Sequence, residues 1–242
     1  MRDDDAVSEA IGFIIIFSMM VTAIGIVTLY GYPVLLDQQS ATYEKTMEQN
    51  LLVLQHDVRI LAREMVPYRE TTMQVGGGVL SFMDAGRVVV ETGGVELVNC
   101  SPGGLEYRSD DGEYAVALSN GAVMLRPLTG DGSSMIGSPR WFYDDRTGTL
   151  VITVIVLTEK DPVSFSGMGT IELSQASPGT EATERTGISD PITITCTGPY
   201  RTSWKTYLTT DLGFSPVDGD TWQRSGVQRL VIRTQQVSVG RG

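Results

Sequence analysis

From Ala10 to Leu36 the chain runs for 27 residues without a single charge. As a helix this stretch would be about 40 Å long, against about 30 Å of bilayer hydrocarbon, so its length predicts one membrane span. Asp3, Asp4, Asp5 and Glu9 lie before it and Asp37 after it. A secretory signal peptide would have a basic start, a shorter apolar run and a small-residue cleavage site at its far end. Here Arg2 stands among acids and the run ends in GYPVLLDQQ, so a retained helix is expected. Pro33 removes one backbone donor and predicts a kink or a short unwinding near the end of the span. Ser18, Thr22 and Gly25, spaced four and three apart, form a stripe of small residues on one face, the arrangement that lets membrane helices approach closely.

After Asp37 the pattern changes. Tyr43, Met47, Leu51, Leu54, Val58, Leu61 and Met65 recur at spacings of three and four, the period of one helix face. Glu44, Lys45, Gln49, Asp57 and Arg63 are assigned to the other face, and Pro67 supplies a stop. The stripe is expected to pack on a β domain or along a second copy as a coiled coil, and its length does not choose between the two. Beyond Pro67, short alternating runs such as GVLSFM, RVVVET, EYAVAL and PITITCT are punctuated by turn residues, Asn120-Gly121 among them. Val151–Leu157 is apolar at nearly every position and reads as the central strand. In PYRTSWKTYLTTDLG, Tyr200, Trp204, Tyr207 and Leu208 share one face of a short helix, and residues 174–191 read as a polar, exposed loop.

The fold class expected is therefore α+β, a long N-terminal transmembrane and amphipathic helix followed by an antiparallel β-sandwich or barrel with one short helix near the C-terminus. The divisions are a leader over residues 1–6, the helix over 7–66 with its membrane span at about 10–36, and a β-rich domain over 67–242. A fragment of residues 68–242 is expected to fold alone.

Charge and candidate chemistry narrow the function classes. Three lysines and fifteen arginines against 29 acids leave a net charge of −11, which disfavours nucleic acid as a partner. His56 is the only histidine, and no nucleophile elbow, phosphate loop or zinc-ligand spacing occurs. Acidic turns at Asp110-Asp111, Asp131-Gly132, Asp144-Asp145 and Asp218-Gly219-Asp220 lack the full ligand spacing of a calcium loop. No catalytic, cofactor or metal site is assigned, and the expectation is a non-enzymatic protein. Trp141, Phe142 and Tyr143 would serve either the core or a sugar or surface contact. Cys100 and Cys196 are either one disulfide or two separate thiols, and Asn99-Cys100-Ser101 is a sequon for N-glycosylation at Asn99.

A short polar leader, MRDDDA, followed by VSEAIGFIIIF and a long apolar helix resembles the amino terminus of archaeal type IV pilins and pilin-like proteins. Ser8, Ile11 and Gly12 match that family's Ser-x-x-Ile-Gly block. The resemblance implies that prepilin peptidase cuts between Ala6 and Val7 and that the helix is kept. It implies further that the helix packs among other pilin-like subunits and sits in the lipid bilayer until assembly, with the C-terminal domain outside the cell. A strand, helix, strand ending is similar to that of haloarchaeal and methanogen pilin-like proteins. At 242 residues the chain would be a minor or adhesive component of the filament. The alternative is a single-pass, membrane-anchored extracellular binding or sensory module that does not polymerise.

Overall fold

The computed structural model describes residues 3–64 and 66–242, with only the backbone described at 3–10, 63, 64 and 177–179. Ala6, Val7 and Glu9 belong to the residues whose side chains lie outside this description, and Met65, the last position of the apolar stripe, is outside it altogether. The chain divides into two compact units, one ending at Glu44 and the other spanning Lys45–Gly242.

Helix α1 (Asp3–Ile26) leads through a π turn (Val27–Gly31) into α2 (Tyr32–Glu64). Ile11–Ala62 is a 52-residue helix, long and apolar enough over its first part to cross a membrane. The π turn lies immediately before Pro33. A proline ring clashes with the carbonyl four residues back, here that of Leu29, and provides no N–H for it. Inside the π turn the Tyr32 N–H reaches five residues back to the Val27 carbonyl, so one wider turn absorbs the misfit and the helix continues without unwinding.

Within the second unit the chain forms strands β1 (Tyr68–Met83), β2 (Val88–Thr92), β3 (Val95–Cys100), β4 (Gly104–Ser109), β5 (Tyr114–Ser119), β6 (Ala122–Pro127) and β7 (Ser134–Gly137). There follow β8 (Phe142–Asp144), β9 (Thr149–Glu159), β10 (Ser164–Thr186), β11 (Ile192–Cys196), β12 (Ser215–Asp218), β13 (Thr221–Arg224) and β14 (Arg229–Arg241). Among the described residues they make two sheets, β7-β6-β5-β4-β1-β10-β14-β9-β8 and β12-β13-β11-β2-β3. Pairing is antiparallel except between β9 and β14, which run parallel from Thr149/Arg229 to Glu159/Val239.

The larger sheet curls around the second half of α2. Met47, Leu51, Leu54, Val58 and Leu61 are at most 1% exposed and share one core with Leu80, Leu105, Val116, Ile171 and Val239 from its strands. From Met47 to Leu61 the apolar stripe therefore faces the β domain and is not available as a coiled-coil seam, whereas its first position, Tyr43, is exposed. A fragment lacking α2 would open that core, which replaces the expectation of independent folding. Two bonds bring the ends of the curled sheet together: Ile155 N–H donates to Asn120 Oδ1 (3.0 Å) and Leu157 N–H to the Pro102 carbonyl (2.7 Å). Asn120 has φ 49° and sits in the Asn-Gly hairpin turn between β5 and β6, where its side chain completes the closure.

The smaller sheet and helix α3 (Arg201–Thr206), continued by a π turn (Tyr207–Asp211), cover the opposite face. Their core gathers Val90, Ile152, Ile194, Trp222 and Ile232, and Tyr200, Trp204, Tyr207 and Leu208 are buried there as the helical spacing predicts.

Three sequence expectations are corrected. Val151–Leu157 is not central, because β9 lies next to the edge strand β8. Its even positions Leu150, Ile152 and Val154 face the second core while Ile155 and Leu157 face the first, so contact with two cores explains the near-continuous apolarity. Much of residues 174–191 is strand, since Thr180–Thr186 pairs with Arg229–Gln235 of β14 after an irregularity between Gln175 and Thr180. Both faces of this half-strand are exposed, which removes the alternation that marks a half-buried strand. Asp57 is buried rather than solvated, accepting from Thr71 Oγ1 (2.7 Å) and pairing with Arg69 (3.1 Å), because the curled sheet reaches around the helix.

One buried charged group ties the larger sheet to the start of α3. Glu106 on β4 is 1% exposed, accepts from the Tyr200 hydroxyl (2.8 Å) and pairs with Arg126 (3.1 Å) and Arg108. Burial and then the Glu106 charge push the Tyr200 hydroxyl well above its ordinary pKa, so it stays a donor. Glu106→Ala strands the buried Tyr200 hydroxyl and the half-buried Arg126 and is expected to cost about 3–5 kcal/mol, whereas Tyr200→Phe should cost about 1–3 kcal/mol. Urea midpoints of the two variants check this order, and equal small shifts would show that the network contributes nothing.

Candidate functional site

Two surfaces stand out, one in each unit. On the first, the described apolar side chains from Ile11 to Leu36 are all exposed, including Phe13, Ile16, Met20, Ile24 and Leu29. Exposure of this extent in a soluble chain would be a severe liability, while in lipid or among like helices it is the buried state. Ser18 and Thr22 give their hydroxyls back to the Ile14 and Ser18 carbonyls at 2.7 Å. Their polar atoms are thereby satisfied inside the helix and the stripe presents itself as small and apolar. Thr22 lies with Ile15, Met19 and Ile26 along a shallow notch, and Gly25, three residues on, has nothing within 4 Å of where a Cβ would stand.

The second surface is an open cleft of about 570 Å³ at the end of α2, where the helix stops covering the larger sheet. Its floor follows from the register. Ala182, Arg233 and Thr153 form one row across β10, β14 and β9, Thr180, Gln235 and Ile155 the next, and Phe142 pairs with Val151 at the rim. Odd positions on β9 thus change from Ile155 and Leu157 under the helix to Thr153 and Val151 beyond it. Gln175 Nε2 donates to the Leu61 carbonyl (3.1 Å) and Gln235 Nε2 to that of Ala62, which satisfies the helix end bordering the cleft.

Three arginines line it. Arg59 donates to the Ser138 carbonyl, and its Nε is buried without a hydrogen-bond partner. Burial, and then the neighbouring Arg140 charge, lower the Arg59 pKa. Arg140 and Arg233 are exposed, and among the described residues no ion pair involves any of the three. In a chain of net charge −11 this is a local excess of positive charge with no described carboxylate in its lining. Sequence reading missed these residues because 81 and 93 positions separate Arg59 from Arg140 and Arg140 from Arg233. The available signal was Arg233 inside an apolar strand and Arg140 beside an aromatic run.

That run is divided by the fold. Trp141 is buried against Trp204 at 5.0 Å and donates to the Thr153 carbonyl (2.8 Å), and Arg224 lies 3.7 Å over the Tyr143 ring. Phe142 alone is exposed, at 55%, on the cleft rim.

The cysteines are free thiols, not a disulfide. Val88 on β2 pairs with Cys100 on β3 and with Cys196 on β11, so a whole strand separates them. Two strand spacings are about 9.6 Å, beyond the roughly 7 Å over which a disulfide can close. Burial raises both thiol pKa values, and most strongly that of fully buried Cys196. Alkylation of the native protein is expected to label Cys100 first, and denaturation without reductant should expose two alkylatable thiols; a mass showing none would restore the disulfide. Asn99 is exposed on edge strand β3, its amide bonded to Glu96 (3.0 Å) and Arg87 (3.0 Å). Among the acidic turns, Asp144 accepts from the Arg146 N–H (3.0 Å) and the Thr147 hydroxyl (2.8 Å), a turn-closing role. Among the described residues no three metal-ligating side chains cluster.

A family model for a family of unknown function (DUF7289) matches residues 6–239, and the chain belongs to that family. No curated protein and no solved structure matches it.

Proposed function

We propose that this DUF7289 protein is a non-enzymatic, membrane-inserted, pilin-like subunit of an archaeal type IV pilus-type filament, displaying its β domain outside the cell. The observation that carries this reading is the change of character along one helix. Residues Ile11–Leu36 are apolar on every side, while Met47–Leu61 is built into the core of a β domain. The first half needs lipid or other helices around it, and the second holds the β domain on the same helix. The internally bonded hydroxyls of Ser18 and Thr22 leave a small-residue face suited to close helix packing.

In this reading prepilin peptidase removes residues 1–6, the helix leaves the bilayer for a filament core, and the β domain serves a minor or adhesive role. The test is the native protein itself. Filaments sheared from cells should contain it, and its amino-terminal sequence should begin at Val7 with the apolar helix retained. A native start at Met1 or Arg2 would refute processing, and confinement to the membrane fraction alongside an active pilus machinery would refute assembly and leave a singly anchored module.

A further inference from the structure

We infer that the cleft at the end of α2 binds an anionic saccharide, with arginines on its acidic group and Phe142 against a sugar ring. Three features of the cleft select this ligand class. Arg59, Arg140 and Arg233 bring three guanidinium groups to one concavity without a described carboxylate among them, and an anion would offset their mutual repulsion. The planar forks of the exposed Arg140 and Arg233 suit a carboxylate or sulfate, through two parallel N–H bonds, while Arg59, already donating to Ser138, adds its charge from behind. The exposed ring of Phe142 stands at the rim, where the apolar C–H face of a pyranose can lie on it. Thr153 and Thr180 on the floor offer hydroxyls to sugar oxygens. At about 570 Å³ the cleft lies within the roughly 300–1,000 Å³ range of ligand sites. A bare inorganic anion, or a peptide whose side chains are all carboxylates, would leave Phe142 without an apolar face to cover it.

The site lies wholly within the Lys45–Gly242 unit and holds for a polymerised or a singly anchored protein alike. Carboxylate and sulfate sugars share the recognised chemistry, so the test uses both. The full chain in detergent is titrated with oligogalacturonate, heparin-derived oligosaccharide, neutral dextran oligomers, polyglutamate and inorganic phosphate. Binding of at least one of the two acidic sugars is expected, with the stronger of them identifying the natural acidic group, and neutral dextran should not bind measurably. Arg140→Gln with Arg233→Gln should weaken binding at least tenfold, and Phe142→Ala at least threefold, with an unchanged circular dichroism spectrum. Both arginines and Phe142 are surface residues, so these variants should fold. Failure of both acidic sugars to bind overturns the inference. Polyglutamate or phosphate binding as tightly as the sugars, or indifference to Phe142→Ala, would show a general anion site and overturn it equally.

Discussion

A fragment of residues 68–242 is expected to fail to fold cooperatively, whereas residues 38–242 should give a folded monomer. The difference lies in five side chains. Met47, Leu51, Leu54, Val58 and Leu61 are at most 1% exposed, and the curled sheet meets around them. At about 1.5–3 kcal/mol for each buried side chain, their removal takes away roughly 7–15 kcal/mol, as large as the whole stability of an ordinary domain at about 5–15 kcal/mol. Polar ties go with them. Gln55 Nε2 donates to the carbonyls of Gly121 (2.7 Å), Gly137 (3.2 Å) and Ser138 (3.2 Å), holding the turn after β5 and the end of β7 onto the helix. Thermal melting followed by circular dichroism, with sedimentation at several concentrations, distinguishes the outcomes. Cooperative melting of 68–242 within a few degrees of 38–242 would show that the helix is an appendage to an independent domain. Concentration-dependent dimerisation of the longer fragment would instead return the stripe to a coiled coil.

What could be read from the sequence follows where solvent contrast exists. Met47 to Leu61 repeat at helix spacing because one side faces a core and the other water, and α3 was legible through Tyr200, Trp204, Tyr207 and Leu208 for the same reason. The contrast vanishes at Thr180–Thr186, solvated on both faces and recognisable as strand only through its pairing with β14. It vanishes again in β9, which meets two cores, one on each face. The parallel pairing of β9 with β14 joins segments 80 residues apart, as in Leu150 with Leu230, and no local pattern encodes such a partner. The arginine cleft depends on that pairing, on the curl of the sheet and on where α2 ends. It was therefore legible only as isolated residues.

Under the pilin-like function proposed above, replacing Thr22 and Gly25 together by leucine is expected to abolish incorporation into filaments while leaving the protein in the membrane. The helix itself should tolerate the change. Nothing lies within 4 Å of a Cβ built on Gly25, and the Thr22 hydroxyl serves only the Ser18 carbonyl one turn back. Leucine is also the better helix former at both sites, and more apolar, so insertion is favoured rather than impaired. The consequence is intermolecular. Between apolar helices in lipid there is no hydrophobic force, so contact energy must come from close approach across small residues. A leucine at position 22 would fill the notch beside Met19 and Ile26, and one at position 25 would stand out from the same face as Ser18, so that together they hold a neighbouring helix away. At least a tenfold fall in sheared filament content, with an unchanged membrane fraction and unchanged mature amino terminus, is the expected result. Thr22→Ser with Gly25→Ala keeps the face small and should retain assembly. If the leucine variant assembles normally, this face makes no subunit contact. If both pairs fail equally, the defect lies outside helix packing.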